Sequence, residues 1–149
     1  MAFQIVDADA GLLPDIERIE QDCFSVPWTR AQLTGQLPDG EHLFLAAVDE
    51  TGAVLGYVGA QLAADEGYIS NVAVSPAYRR LGVGGALIDA LKEQASAHTL
   101  AFLTLEVRET NAAARALYEK HGFTAVGRRK NYYEKPREEA ILMTLFLTK

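Results

Sequence analysis

The chain has 149 residues, of which 49% are hydrophobic and 23% are charged, and its formal net charge at pH 7 is −6. This length suits one domain that buries roughly 70% of the surface of its unfolded chain, and the composition is that of an ordinary globular protein. The negative charge disfavours broad nucleic-acid binding and favours a basic partner such as a positively charged peptide, although mild acidity also serves solubility. No apolar stretch could span a bilayer and the polar start does not resemble a signal peptide, so we expect a cytoplasmic protein without membrane contact.

Alternating and helically spaced apolar residues predict one domain over residues 1–149, a mixed α/β sheet with helices on both faces. Thr29 and Gln32 have the form of a capping box, and Gly122 is a natural helix stop. The strand-helix-strand unit after residue 68 implies a parallel pair of strands. In chain order we predict a strand over 3–6, a helix over 12–23, a helix over 30–37, strands over 42–49, 54–62 and 68–74, a helix after the loop 79–85, a strand over 101–107, a helix over 112–121, and strands over 124–130 and 140–147 around a turn at 134–139.

The cysteine and the histidines indicate neither redox nor metal chemistry. A single cysteine, Cys23, excludes an internal disulfide, and its place at the end of an apolar-periodic segment favours a buried structural thiol over a nucleophile. His42, His98 and His121 lack the paired spacing of metal ligands, so we expect no metal.

A glycine-rich loop over 79–85 joins the strand that ends before Pro76 to the next helix. Glycines at a helix start let unpaired N–H groups approach a ligand, and the helix dipole with Arg79 and Arg80 would attract a phosphate. The plainer alternative is an ordinary turn that needs glycine for its backbone geometry. No Gly-Lys-Ser/Thr follows, which excludes a P-loop. The third glycine of a dinucleotide-binding fingerprint would fall at Leu87, which argues against that kind of site.

A carboxylate and a phenol are candidates for acid–base chemistry. Glu106 stands inside an apolar strand, where a carboxylate is costly unless it is paired, wetted or used, and Arg108 on the same strand face could pair with it. Tyr118 follows Ala114 by one helical turn, and a tyrosine on a helix is usually a packing residue. The residues by themselves leave structural and functional roles open.

Arg79, Gly82 and Gly84 match the pattern Gln/Arg-x-x-Gly-x-Gly/Ala, so this loop resembles motif A of the GCN5-related N-acetyltransferases (GNAT). Nearly the whole chain resembles one branch of that family, the RimI group of bacterial ribosomal-protein-alanine N-acetyltransferases. The resemblance rests on Cys23-Phe-Ser-x-Pro27-Trp28, Asn71-Val-Ala-Val74, Leu105-Glu-Val-Arg108, Asn111-Ala-Ala, Leu117-Tyr118, Gly122-Phe123, Arg129-Lys-Asn-Tyr-Tyr133 and Ala140-Ile-Leu-Met143.

The resemblance implies a single-domain GNAT fold with a mixed, mostly antiparallel sheet and a parallel central pair. It also implies acetyl transfer from acetyl-CoA to the N-terminal α-amine of a protein, the N-terminal alanine of a small-subunit ribosomal protein, by direct attack. In this comparison Glu106 is the general base and Tyr118 the general acid. Acetyl-CoA would contact Val72, Ala73, Val74, Arg80, Leu81, Gly82, Val83, Gly84, Gly85 and Asn111, and the peptide groove would be lined by Trp28, Tyr132 and Tyr133.

Two other functions stay open on the same scaffold: an acetyltransferase for internal lysines or small amines, and a non-catalytic acyl-CoA-binding module. Glu106 and Tyr118 favour catalysis, and Pro27-Trp28 together with Asn131-Tyr-Tyr133 favours a peptide over a small amine, but the fold decides neither point. Gly85 should cost about 1 kcal/mol of helix propensity unless close approach of the coenzyme requires it.

Overall fold

The computed structural model describes residues 2–134 and 136–147, which form one sheet with helices on both faces. The strands are β1 (Phe3–Asp7), β2 (His42–Asp49), β3 (Val54–Ala63), β4 (Glu66–Val74), β5 (Phe102–Arg108), β6 (Thr124–Glu134) and β7 (Arg137–Phe146). The helices are α1 (Leu13–Cys23), α2 (Arg30–Thr34), α3 (Val83–Ala97) and α4 (Ala112–Lys120), with 3-10 turns at Ala10–Leu12 and Pro76–Tyr78.

The sheet has the strand order β1-β2-β3-β4-β5-β7-β6. Every neighbouring pair of these strands is antiparallel except β4 and β5, which run parallel. The predicted mixed sheet with a parallel central pair is therefore confirmed.

Each face of the sheet buries its own apolar cluster. Leu87 and Leu91 of α3 pack with alternate residues of β5, among them Leu103 and Leu105, and α4 adds to the same cluster. Helices α1 and α2 cover the other face, where Ile16 of α1 lies in the second cluster. Because side chains alternate along a strand, the even-numbered residues of β5 face away from the α3 and α4 side.

The parallel pair separates after a short contact. Strand β4 pairs with β5 only from Glu66 to Tyr68, although β4 continues to Val74. A β-bulge at Ser70, opposite the step from Gly59 to Ala60 of β3, bends β4 where the separation begins. The strands therefore diverge, and the described residues supply no ladder partner for the β5-facing edge of β4 beyond Tyr68.

The largest differences from the predicted boundaries fall in α2, in β4 and at the turn between β6 and β7. Helix α2 ends at Thr34 rather than residue 37, because Gly35 caps it, and β4 begins at Glu66 rather than Tyr68. The turn predicted over 134–139 is much tighter, since β6 and β7 pair as far as Glu134 and Arg137. Exposed polar residues at the tip of this hairpin leave no apolar alternation to mark the strands. Lys135, inside the predicted turn, lies outside the described residues.

Candidate active site

The Glu106 carboxylate is held between two strands on the α1 and α2 side of the sheet. Its side chain is only 5% exposed, and the Nε atom of Arg129 on β6 forms an ion pair with Oε2 at 2.8 Å. The Tyr68 hydroxyl, at the end of the paired part of β4, donates a hydrogen bond to Oε1. Both carboxylate oxygens are therefore engaged, one by Arg129 and the other by Tyr68.

Aromatic rings surround this ion pair. Tyr132 and Tyr133 pack edge to face with ring centroids 5.1 Å apart, and the Arg129 guanidinium lies 5.9 Å from the Tyr132 ring. Burial raises the pKa of Tyr68, and its hydrogen bonds to Glu106 and Tyr132 raise it further. The structure thus brings two predicted residues of the peptide groove, Tyr132 and Tyr133, together with the predicted base.

Arg108 stabilises the same corner through Tyr133 and the tip of the β6–β7 hairpin. Its guanidinium lies 4.3 Å from the centre of the Tyr133 ring and donates to the backbone oxygen of Pro136 and to Glu138. Such a contact holds Tyr133 by cation–π attraction. Burial raises the pKa of Tyr133 to about 12, so its hydroxyl stays protonated at neutral pH.

Tyr118 belongs to the opposite side of the sheet from Glu106. Its ring is 7% exposed and packs against Phe123 with centroids 5.7 Å apart, as part of the α3 and α4 cluster. Burial raises the pKa of Tyr118, and the nearby Tyr133 raises it further, while Glu106 acts in the same way on Tyr133. Tyr133 is therefore near enough to both the predicted acid and the predicted base to interact with them electrostatically, although those two residues lie on opposite faces of the sheet.

The glycine-rich loop leaves the first amides of α3 without intrahelical partners. The first helical bond runs from the Ala86 N–H to the Gly82 oxygen at 3.0 Å, and no side chain caps the helix. The N–H groups of Val83, Gly84 and Gly85 precede that bond, and Gly82 itself has φ = +84°, which favours glycine. The predicted anion site requires such unpaired donors at the positive end of a helix dipole.

The two arginines of the loop differ in their environment. The backbone of Arg80 is in the left-handed region, with φ = +66°. The side chain of Arg79 donates hydrogen bonds to the Val74 oxygen at 3.2 Å and to the Cys23 sulfur at 3.3 Å. Arg79 thus ties the loop to α1 and to the end of β4. Cys23 is half-buried, and burial raises the pKa of its thiol, as expected for a structural cysteine.

The glycines in the first turn of α3 have a packing role that the sequence did not reveal. A Cβ atom at Gly84 would lie 3.2 Å from Leu117 of α4, and one at Gly85 would lie 3.1 Å from the His121 ring. Close approach of α4, in addition to any coenzyme, therefore requires small residues here.

The remaining predicted coenzyme contacts lie around the same gap. Val72, Ala73 and Val74 lie in the part of β4 that pairs with β3 but no longer with β5, and Leu81 is exposed in the glycine-rich loop. Asn111 caps α4 by accepting the Ala114 N–H at 3.1 Å.

Trp28 is part of a separate buried polar cluster. Glu20 of α1 is 1% exposed, and its carboxylate accepts hydrogen bonds from the backbone N–H of Trp28 at 2.8 Å, from the side-chain amide of Asn71 at 3.2 Å and from the Tyr57 hydroxyl. This carboxylate fixes the loop between α1 and α2 to β3 and β4. In that loop Phe24 and Val26 are exposed apolar residues.

Sequence reasoning missed the partners of Glu106 and the role of Glu20. Arg129 begins the motif Arg129-Lys-Asn-Tyr-Tyr133, and Tyr68 begins a predicted strand. Only the order of the strands in the sheet brings the two residues to Glu106. Glu20 interrupts the apolar side of an amphipathic helix, which is a signal for a buried polar contact.

Residues 2–134 and 136–147 contain neither a candidate metal site nor a candidate membrane-spanning helix. No group of three or more His, Cys, Asp or Glu side chains is arranged to hold a metal ion. No helix in these ranges has the length and hydropathy of a membrane span.

Comparison with known proteins gives the family. Residues 13–123 match the model of the acetyltransferase (GNAT) family. The chain is 39% identical over 139 residues to the [ribosomal protein bS18]-alanine N-acetyltransferase of Haemophilus influenzae, covering 89% of this chain and 93% of the relative.

Solved structures agree with that result. The crystal structure of the ribosomal-protein-S18-alanine N-acetyltransferase from Escherichia coli superimposes with a TM-score of 0.91 at 33% identity, covering 99% of this chain and 96% of that one. A Bacillus anthracis acetyltransferase in complex with acetyl coenzyme A matches with a TM-score of 0.68 at 26% identity, covering 76% of this chain and 67% of that one. The chain belongs to the GNAT family of N-acetyltransferases.

Proposed function

We propose that the chain transfers the acetyl group of acetyl-CoA to the N-terminal α-amine of a protein, the alanine that begins ribosomal protein bS18. The observation that carries this proposal is the buried Glu106 carboxylate at the gap between β4 and β5, within a chain so similar to relatives named for that reaction. A ribosomal substrate would require the enzyme to work in the cytoplasm.

The gap between β4 and β5 and the loop beside it fit acetyl-CoA. The free edge of β4 offers backbone groups to an amide-containing arm, and the Val83, Gly84 and Gly85 amides suit a pyrophosphate. Acetyl-CoA supplies the thioester and the thiol leaving group. The chain's own residues then have to bind the amine, remove its proton and stabilise the departing sulfur.

Glu106 is the proposed general base. An α-amino group has a pKa of about 7.7–8.0, so part of it is already neutral near pH 7 and the base need remove only the remaining proton. A carboxylate with an ordinary pKa of about 4.3 is a weak base for this task. Its burial excludes competing water, and its charge attracts the ammonium form of the substrate.

Tyr118 is the proposed general acid, and its environment determines how it acts. An ordinary phenol with a pKa near 10 would protonate a thiolate of pKa about 8.5 uphill by about 2 kcal/mol. Burial raises the pKa of Tyr118 and makes complete transfer still harder. Tyr118 therefore first stabilises the leaving thiolate by donating a hydrogen bond, and the proton follows later.

The substrate peptide would enter between the α1–α2 loop and the β6–β7 hairpin. Trp28 with the exposed Phe24 and Val26 would contact it on one side, and Tyr132 and Tyr133 on the other. The net charge of −6 attracts a basic ribosomal protein over long range.

The experiment is acetylation of purified bS18 with labelled acetyl-CoA, with the same protein carrying a blocked N-terminus as control. Label should enter only the free N-terminus, and equal labelling of both forms would contradict the proposed substrate. Glu106→Gln should abolish transfer while Glu109→Gln, a nearby exposed carboxylate paired with Arg128, should not. Full activity of Glu106→Gln would refute the assignment of the base.

A further inference from the structure

The ion pair between Glu106 and Arg129 is strongly asymmetric in exposure. The Glu106 side chain is 5% exposed, whereas the Arg129 side chain is 57% exposed. The Arg129 guanidinium itself needs little further hydration to move into water, because more than half of its side chain is already exposed. Glu106 cannot lose a cationic partner as easily, because a buried carboxylate without a counter-ion is costly.

The strand that carries Arg129 is irregular immediately after this residue. Arg129 pairs with Ala140 and Tyr133 with Glu138, so the three β6 residues between them face only one residue of β7. Asn131, inside this bulge, has φ = +53°. The Tyr132 ring, 5.9 Å from the Arg129 guanidinium, offers a second contact on the exposed side.

We propose that Arg129 is a placeholder cation, which pairs with Glu106 until the ammonium group of the substrate displaces it. The proposal rests on the proposed function, in which an α-amine binds at Glu106. Exchange keeps the buried carboxylate paired throughout, with Arg129 before binding and with the substrate afterwards. It also favours a cationic amine, because a neutral group could not replace the guanidinium without leaving Glu106 unpaired.

The neighbouring arginine provides a matched control. Arg128 lies on the same strand with a side chain that is 55% exposed, but it pairs with Glu109 and Glu139 instead of Glu106. Replacing either arginine by glutamine changes the net charge equally. Any general attraction of a basic peptide is therefore the same in both variants.

The test is calorimetric titration of a basic, alanine-starting peptide into the enzyme saturated with coenzyme A, a complex in which no transfer occurs. Arg129→Gln should bind the peptide about five-fold more tightly than wild type, because no ion pair has to be broken first. Arg128→Gln should stay within about two-fold of wild type. Arg129→Lys keeps a cation and should also behave as wild type.

The N-terminally acetylated peptide gives the second arm, because it carries no ammonium. Its affinity should be the same for wild type and Arg129→Gln, and in steady-state kinetics the gain for the free peptide should appear in KM rather than kcat. Weaker binding by Arg129→Gln, an equal gain for Arg128→Gln or Arg129→Lys, or an equal gain for the acetylated peptide would overturn the proposal.

The two proposals can fail separately. Full activity of Glu106→Gln would refute its role as base, but the binding comparison is made without turnover and would still test the exchange of cations.

Discussion

Replacing Tyr57 by phenylalanine tests whether the buried Glu20 cluster stabilises the fold. The substitution removes only the hydroxyl that donates to Glu20, and the edge-to-face packing against Phe44, with centroids 5.9 Å apart, is retained. Both burial and the Glu20 charge raise the pKa of Tyr57, so the hydroxyl is a proton donor throughout the working range of pH.

The expected cost follows from the partners that remain. A hydrogen bond to a charged group contributes about 1.5–3 kcal/mol, and Glu20 Oε2 would keep only the Asn71 amide as donor. We therefore expect Tyr57→Phe to lower the free energy of unfolding by about 2 kcal/mol, which corresponds to a Tm lower by about 4–8 °C for a chain of this size.

Urea unfolding followed by far-ultraviolet circular dichroism measures this loss, with Tyr78→Phe as the matched control. Tyr78 packs only partly against the core, so its variant should stay within about 0.5 kcal/mol of wild type. An unfolding free energy for Tyr57→Phe equal to that of wild type would show that the hydrogen bond from Tyr57 to Glu20 does not stabilise the fold.

Three further substitutions test separate parts of the account. Tyr118→Phe should lower the acetyl-transfer rate about 100-fold and leave acetyl-CoA affinity within about two-fold, and a large loss of affinity would count against its role as acid. Gly85→Ala should not give the usual gain of about 1 kcal/mol in helix stability, because the added Cβ meets the His121 ring; urea unfolding that shows this gain would contradict the packing explanation. Hydrogen bonds from Thr110 lower the pKa of Glu138 in the folded protein. The charged carboxylate therefore stabilises the fold above the unfolded-state pKa of 4.5, and this stabilisation is lost as the pH falls through the lower folded-state pKa. The difference in unfolding free energy between wild type and Glu138→Gln should therefore shrink on acidification from about pH 7 to pH 3, and a constant difference would disagree with that assignment.

Local patterns predicted the fold best where an element is buried in the core. Strand β2 has the predicted bounds, His42–Asp49, and Thr29 forms the expected capping box with Gln32. The β6–β7 hairpin was missed in part because its tip is polar and exposed, so nothing in its composition distinguishes strand from turn. Hydrophobic periodicity informs only about elements that cover a core.

The candidate site was predicted as residue types and not as contacts. Glu106 is identified from the cost of a carboxylate in an apolar strand, an argument that left pairing, hydration and function open, and the structure shows an ion pair with Arg129. Tyr68 and Arg129 could not be found in this way, because β4 and β6 reach β5 through the order of the sheet rather than through sequence proximity. The bulge at Ser70, which opens the gap, depends likewise on its register with β3.

Mass spectrometry of modified peptides is the most direct test of whether the enzyme acetylates an N-terminal α-amine. The enzyme and acetyl-CoA are incubated with two basic peptides, one with a free N-terminal alanine and one with a blocked N-terminus and internal lysines. The account predicts one acetyl group on the free alanine and no modification of the lysine peptide. Acetylation of lysines alone, or of neither peptide despite measurable acetyl-CoA binding, would contradict it.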